Sequence, residues 1–103
     1  MIYISGPITN NPDYMECFNE AEDLLLEMGI DVFNPARNIL LFKNLQAEYD
    51  WYIDLSLTEL SWCDEILMLE NWRNSEGARL EYEYAKAHNY NILFWGKDIG
   101  VEE

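Results

Sequence analysis

The apolar positions of this 103-residue chain alternate between short continuous runs and longer periodic ones. Ile2-Tyr3-Ile4-Ser5 is a β-branched and aromatic run that stops at Gly6-Pro7 and predicts a first strand ending in a tight turn. Ile8-Thr9-Asn10-Asn11-Pro12 reads as a loop feeding a helix, with Asn11 able to cap and Pro12 suited to the first helical turn. Met15, Phe18, Ala21, Leu25 and Met28 then recur at spacings of three and four, while Glu16, Glu20, Asp23 and Glu27 occupy other faces, which predicts an amphipathic helix closed by Gly29.

Ile30-Asp31-Val32-Phe33 predicts a second short strand, stopped by Asn34-Pro35. From Ala36 to Gln46 the chain has no clear period and reads as a loop with at most one helical turn. Between Glu48 and Cys63, Tyr49, Ile53, Leu57 and Leu60 form one helical stripe beside a second stripe of Asp50, Asp54 and Thr58. Ile66-Leu67-Met68-Leu69 is the continuous apolar run of a central strand covered on both faces. A polar segment, Glu70 to Ser75, hands over to a helix from about Glu76 to His88 with the stripe Leu80, Tyr84 and Ala87. Asn91-Ile92-Leu93-Phe94-Trp95 predicts the last strand, and a short acidic tail follows from Gly96.

Strand and helix thus alternate as β-α-β-α-β-α-β. The expected fold is α/β: a small three-layer sandwich around a parallel sheet of about four strands in the order 2-1-3-4, flavodoxin- or Rossmann-like, in a single domain over residues 1–103. In such a sheet a ligand crevice opens beyond the carboxyl ends of the strands where the winding reverses, here between the first and third strands. Two segments converge there, Ser5-Gly6-Pro7-Ile8-Thr9 and Glu70 to Ser75 with the helix behind it.

Charge narrows the ligand. Twenty acidic residues against six basic ones give a net charge of −14, a field that repels nucleic-acid backbones and anionic membranes. The acids are dispersed rather than run together, which argues against mimicry of DNA. Cys17 and Cys63 lack a CxxC spacing and His88 stands alone, so neither a typical zinc site nor a metal cofactor is expected, and the thiols read as free in a reducing, cytoplasmic setting. No apolar stretch approaches the ~20 residues that span a bilayer. Four Trp, seven Tyr and four Phe exceed what so small a core hides; the cluster Tyr49, Trp51, Tyr52 and Trp62 points to a homo-oligomer.

Several residues could carry chemistry at the crevice. Glu81 falls in the second turn of the last helix, whose N-terminus points toward it, with Gly77, Ala78 and Ala85 leaving room for a ligand. A glutamate in that place can equally pair with Arg79 or Lys86 on a wet helix face. Asp54 is the second candidate acid. The turn of Ser5, Gly6, Pro7 and Thr9 offers N–H groups and hydroxyls to an oxygen-rich ligand, yet it lacks the glycine spacing of a Walker or dinucleotide loop. Tyr3 can turn its hydroxyl to the crevice, Trp72 can stack on a flat base, Arg73 can reach a phosphate, and Ser75 and Gly77 lie where the last helix begins.

These parts, taken in order, resemble the nucleoside 2-deoxyribosyltransferase-like superfamily, particularly its short branch associated with phages and bacteria. The likeness covers nearly the whole chain and is carried by Ile2-Tyr3-Ile4-Ser5-Gly6-Pro7-Ile8, the Asp54 helix, Cys63-Asp64, and Glu76-Gly77-Ala78-Arg79-Leu80-Glu81-Tyr82-Glu83-Tyr84-Ala85. The resemblance implies cleavage or transfer of an N-glycosidic bond in a nucleoside or nucleotide. It puts the nucleophile on Glu81, the sugar-site tyrosine on Tyr3 and an acid near the departing base on Asp54. It also implies a homo-oligomer. The alternative is a catalytically weak protein that senses or sequesters a nucleotide-like ligand in the same pocket.

Overall fold

Period-2 alternation in the strands sorts their side chains onto two faces, and each face finds its own helices. The computed structural model describes residues 1–8, 11–36 and 49–100, and for 49–53 the backbone only. In chain order the elements are β1 (Ile2–Ser5), α1 (Tyr14–Glu27), β2 (Val32–Phe33), α2 (Tyr49–Ser61), β3 (Glu65–Met68), a single 3-10 turn (Trp72–Asn74), α3 (Glu76–Ala87) and β4 (Asn91–Phe94). The four strands are all parallel and lie in the order β2-β1-β3-β4. Ile2 pairs with Glu65 and Ser5 with Met68, so β1 and β3 end level with each other.

On one face Ile2, Ile4, Leu67 and Leu69 pack against Phe18, Ala21 and Leu25 of α1. On the other, Tyr3, Ile66 and Met68 pack against Leu60 of α2, Cys63, and Ala78 and Ala85 of α3. Each large aliphatic or aromatic side chain buried this way contributes about 1.5–3 kcal/mol. β3 is buried along both faces, as expected of its unbroken apolar run. The winding direction reverses between β1 and β3, which puts the crossover helices α1 and α3 on opposite sides.

The elements start and stop for local reasons. Gly29, at φ 76°, ends α1, and the Ile30 N–H reaches back to the Leu25 carbonyl at 3.0 Å. Asn89, at φ 59°, repeats that ending after α3, with the Tyr90 N–H on the Ala85 carbonyl at 2.9 Å. Asn11 sits farther upstream than a cap: its side-chain oxygen accepts the Asp13 N–H at 3.2 Å in a turn that also holds the Pro7 carbonyl, and α1 begins only at Tyr14.

Two helix faces differ from the sequence reading. The buried residues of α3 are Ala78, Glu81 and Ala85, whereas Leu80 is exposed. Small alanines let this helix lie close on the sheet, and that closeness outweighs the pull of the larger Leu80. In α2 the described buried face is Ser56, Glu59 and Leu60, beside a half-buried Leu57. The second strand is also shorter than expected, and the tail folds back: Gly96 and Gly100 both take positive φ, and a Cβ on Gly100 would come within 2.6 Å of the Trp95 ring. The aperiodic stretch after Ala36 lies outside the described residues up to position 48.

Candidate functional site

β1 delivers Tyr3 and Ser5 to the same sheet face, and α3 lays Glu81 over them. The Ser5 hydroxyl donates to Glu81 Oε1 at 2.8 Å. Glu81 is only 8% exposed, and its second oxygen, Oε2, is buried without a hydrogen-bond partner among the described residues. A carboxyl in this position is costly to ionise. Burial is the largest cause and pushes Glu81 up to about 7; the Tyr3 and Ser5 hydroxyls favour the charged form, and the Glu59 carboxylate adds to the rise.

Tyr3 is buried and stacks on Phe33, with ring centroids 5.9 Å apart and planes at 9°. Phe33 in turn meets Trp62 edge-on at 6.3 Å, so an aromatic series runs from the Glu81 pocket to the surface, where Trp62 is 64% exposed.

Ser75 fixes the start of α3. Its Oγ accepts the Ala78 N–H at 3.2 Å, one of the otherwise open donors of the first turn. The 3-10 turn before it is pinned by Trp72, whose indole is largely buried against Tyr82 at 4.6 Å and Phe94 at 6.3 Å. Trp72 therefore spends much of its surface holding α3 to β4. Arg73 is exposed, with its guanidinium 4.8 Å from the Trp72 ring and its carbonyl accepting Arg79 Nη1 at 3.4 Å.

Gly6 sits where β1 and β3 crowd together. A Cβ there would lie 2.9 Å from the Leu69 Cβ, while the Leu69 N–H donates to the Ser5 carbonyl at 2.8 Å. The glycine thus permits the close approach that keeps Ser5 in place. Pro7 follows on the rim, and Thr9 lies outside the described residues.

Beyond the carboxyl ends of β1 and β3 opens a cleft of about 530 Å³, lined by Pro7, Asn11, Phe18, Glu70, Asn74 and Trp95 among others. A second cleft of about 460 Å³ shares Leu69, Glu70, Asn71 and Trp95 with it and continues past Trp72, Arg73, Phe94 and Lys97. The crevice thus lies at the expected switch point. Glu81 lines neither cleft; it sits behind the rim, joined to it through Ser5.

Of the two acids picked from the sequence, Glu81 is buried at the heart of this arrangement and Asp54 is exposed on α2. The carboxylate that the structure does bring to bear on Glu81 is Glu59, 5% exposed, which sequence reading passed over. Its signal was available: Ser56, Glu59, Leu60 and Cys63 follow a three-and-four spacing, but two small residues and a charge make a weak apolar stripe. Gly77 is half-buried in the first turn of α3.

Cys17 is an exposed thiol and Cys63 a buried one; burial raises both above their ordinary range. Among the described residues no group of three or more His, Cys, Asp or Glu side chains is set to hold a metal ion. No described helix is long and apolar enough to cross a membrane.

Residues 1–94 match the family described as Domain of unknown function (DUF4406). The chain belongs to DUF4406. No curated protein and no solved structure matches it. The DUF4406 match takes in every residue of the Ser5–Glu81 pair, both clefts' strand ends and all four strands.

Proposed function

We propose that this DUF4406 chain cleaves or transfers the N-glycosidic bond of a nucleoside or nucleotide, with Glu81 as nucleophile. The observation that carries the reading is the Glu81 carboxyl itself: one oxygen held by Ser5, the other buried without a partner. An oxygen free of hydrogen bonds keeps its lone pairs for an electrophile, and its partner's bond to Ser5 fixes its direction. The resemblance of the opening and closing motifs to the nucleoside 2-deoxyribosyltransferase-like superfamily supports the same role.

In this reading Glu81 Oε2 attacks the anomeric carbon as the glycosidic bond breaks through an oxocarbenium-like transition state, and the bonding pair leaves with the base nitrogen. Asp54 assists by protonating the departing base. Water or a second base then displaces the glutamyl ester and restores the carboxylate. Tyr3 shapes the sugar site through its hydroxyl near Glu81, and Gly6 keeps the turn close enough for Ser5 to hold its partner. The exposed Trp62 supports a homo-oligomer, which light scattering tests.

A second reading rests on the burial of Glu81 behind the rim: a weakly catalytic protein that binds a nucleotide in the crevice without cleaving it. Incubation with a panel of deoxynucleosides and their 5′-monophosphates, followed by chromatography for free base, separates the two. Base release that disappears in Glu81→Ala, with the circular dichroism spectrum unchanged, supports catalysis; equal release by that variant sinks the mechanism. Absence of base release, with a nucleotide still raising the melting temperature, favours the binding reading.

A further inference from the structure

The six Lys and Arg of this chain are few against twenty acids, so where they stand is informative. Among the described residues the N-terminal amine pairs with Asp64 at 2.9 Å, whereas Arg73, Arg79 and Lys97 have no carboxylate partner there. Instead the three gather at one place. Arg73 and Lys97 both line the 460 Å³ cleft beyond β3 and β4, and Arg79 reaches the Arg73 carbonyl from α3.

Two of these cations rest on aromatic rings of the same cleft. The Arg73 guanidinium lies 4.8 Å from the Trp72 ring and the Lys97 ammonium 5.7 Å from the Phe94 ring. A ring face supports a cation without using up its N–H donors. Both groups are exposed and come from different segments, the turn before α3 and the turn after β4. In a molecule of net charge −14, two cations left unneutralised on one concave surface form a local attraction for an anion within a repelling field. Glu70 also lines this cleft and sets one negative charge against the two cations, which leaves its charged lining positive by one.

We propose that this second cleft is a phosphate subsite, in which Arg73 and Lys97 grip the phosphate of a nucleoside monophosphate. This deepens the reading above and rests on it: the ligand on which Glu81 acts is the phosphorylated form. The cleft volume falls within the usual range for small-molecule sites. Arg73 supplies a planar fork of donors and Lys97 a point charge, so the pair closes on a phosphate from two sides.

The test is binding, measured by equilibrium dialysis and melting temperature, of 2′-deoxynucleosides, their 5′-monophosphates and inorganic phosphate. Glu81→Ala serves as the protein, so that no ligand is consumed. The monophosphate is expected to bind at least tenfold more tightly than its nucleoside, and the double variant Arg73→Gln/Lys97→Gln to erase that preference while leaving nucleoside binding in place. Equal affinity for nucleoside and monophosphate overturns the subsite, as does a preference that survives the double variant. Base release from a plain nucleoside in the wild-type chain, together with equal affinities, removes the phosphate subsite alone and leaves the Glu81 reading standing. Failure of every nucleoside and nucleotide to bind removes both.

Discussion

The hydroxyl of Ser5, on the last residue of β1, donates to Oε1 of Glu81, in the second turn of α3, across 2.8 Å of buried space. Seventy-six positions of sequence separate the two, so this bond exists only when the sheet and α3 are both formed. It holds one carboxyl oxygen while burial acts on the whole group, which makes the protonation of Glu81 a property of the fold.

Stability should therefore fall as pH rises across neutrality. Glu81 is raised from 4.5 to about 7 in the folded chain, so between those values the folded state binds more protons than the unfolded one, and stability is lost as pH climbs through that window. The shift corresponds to about 3 kcal/mol. Urea denaturation of wild type and Glu81→Gln at pH 4.5 and pH 8 measures it: the stability of the variant relative to wild type should increase by about 3 kcal/mol from the lower pH to the higher. A constant difference between the two proteins would count against the buried titration.

Glu59 should be the group that tunes this titration. Its buried carboxylate adds to the rise of Glu81, whereas Asp54 is exposed on the same helix. Carbon-13 NMR of the Glu81 carboxyl is expected to show a lower midpoint in Glu59→Gln and an unchanged one in Asp54→Asn. The same order should appear in any pH profile of base release, whose alkaline-side plateau requires ionised Glu81.

Gly6→Ala should destabilise the chain by about 1–3 kcal/mol, the usual cost of overpacking. The added Cβ meets the Leu69 Cβ at 2.9 Å, so shortening Leu69 to alanine keeps the clashing atom and restores little. Thermal melts of Gly6→Ala and of the double variant check both points.

Removing the Ser75 cap should cost about 1 kcal/mol, since Ser75→Ala leaves the Ala78 N–H without its acceptor. Ser75→Asp should restore the loss by accepting the same bond. Denaturation midpoints of the three proteins give the comparison.

Much of the framework was legible because its signals are local. Gly29 after a periodic run announced the end of α1, and the unbroken apolar run before Glu70 announced a central β3. Alternating strand and helix, with right-handed crossovers, then left few strand orders to choose from. The site was legible in part. Glu81 stood out by its place at a helix start, but its orientation did not, because alanines on either side register weakly in a hydrophobic period and Leu80 competes for the core face. Glu59 stayed hidden for the same reason on α2. Trp72 and Arg73 line the second cleft, yet the indole's packing on Tyr82 and Phe94 depends on contacts that only the folded chain brings together. Lys97 sits in what read as a tail, and it is the turn at Gly96 that carries it to the cleft wall.

The sheet divides the interior into two rooms of different character. On the α1 side the buried strand residues Ile2, Ile4 and Leu67 all meet hydrocarbon, while on the α2 and α3 side Ser5, Glu59 and Glu81 interrupt the apolar packing. Strand alternation makes that partition strict, because neighbouring residues of β1 belong to different rooms. Changes on the α1 side alter how firmly the domain holds together, and changes on the other alter what its carboxyls do. The two properties can thus diverge within one lineage of sequences, with the sheet as the wall between them.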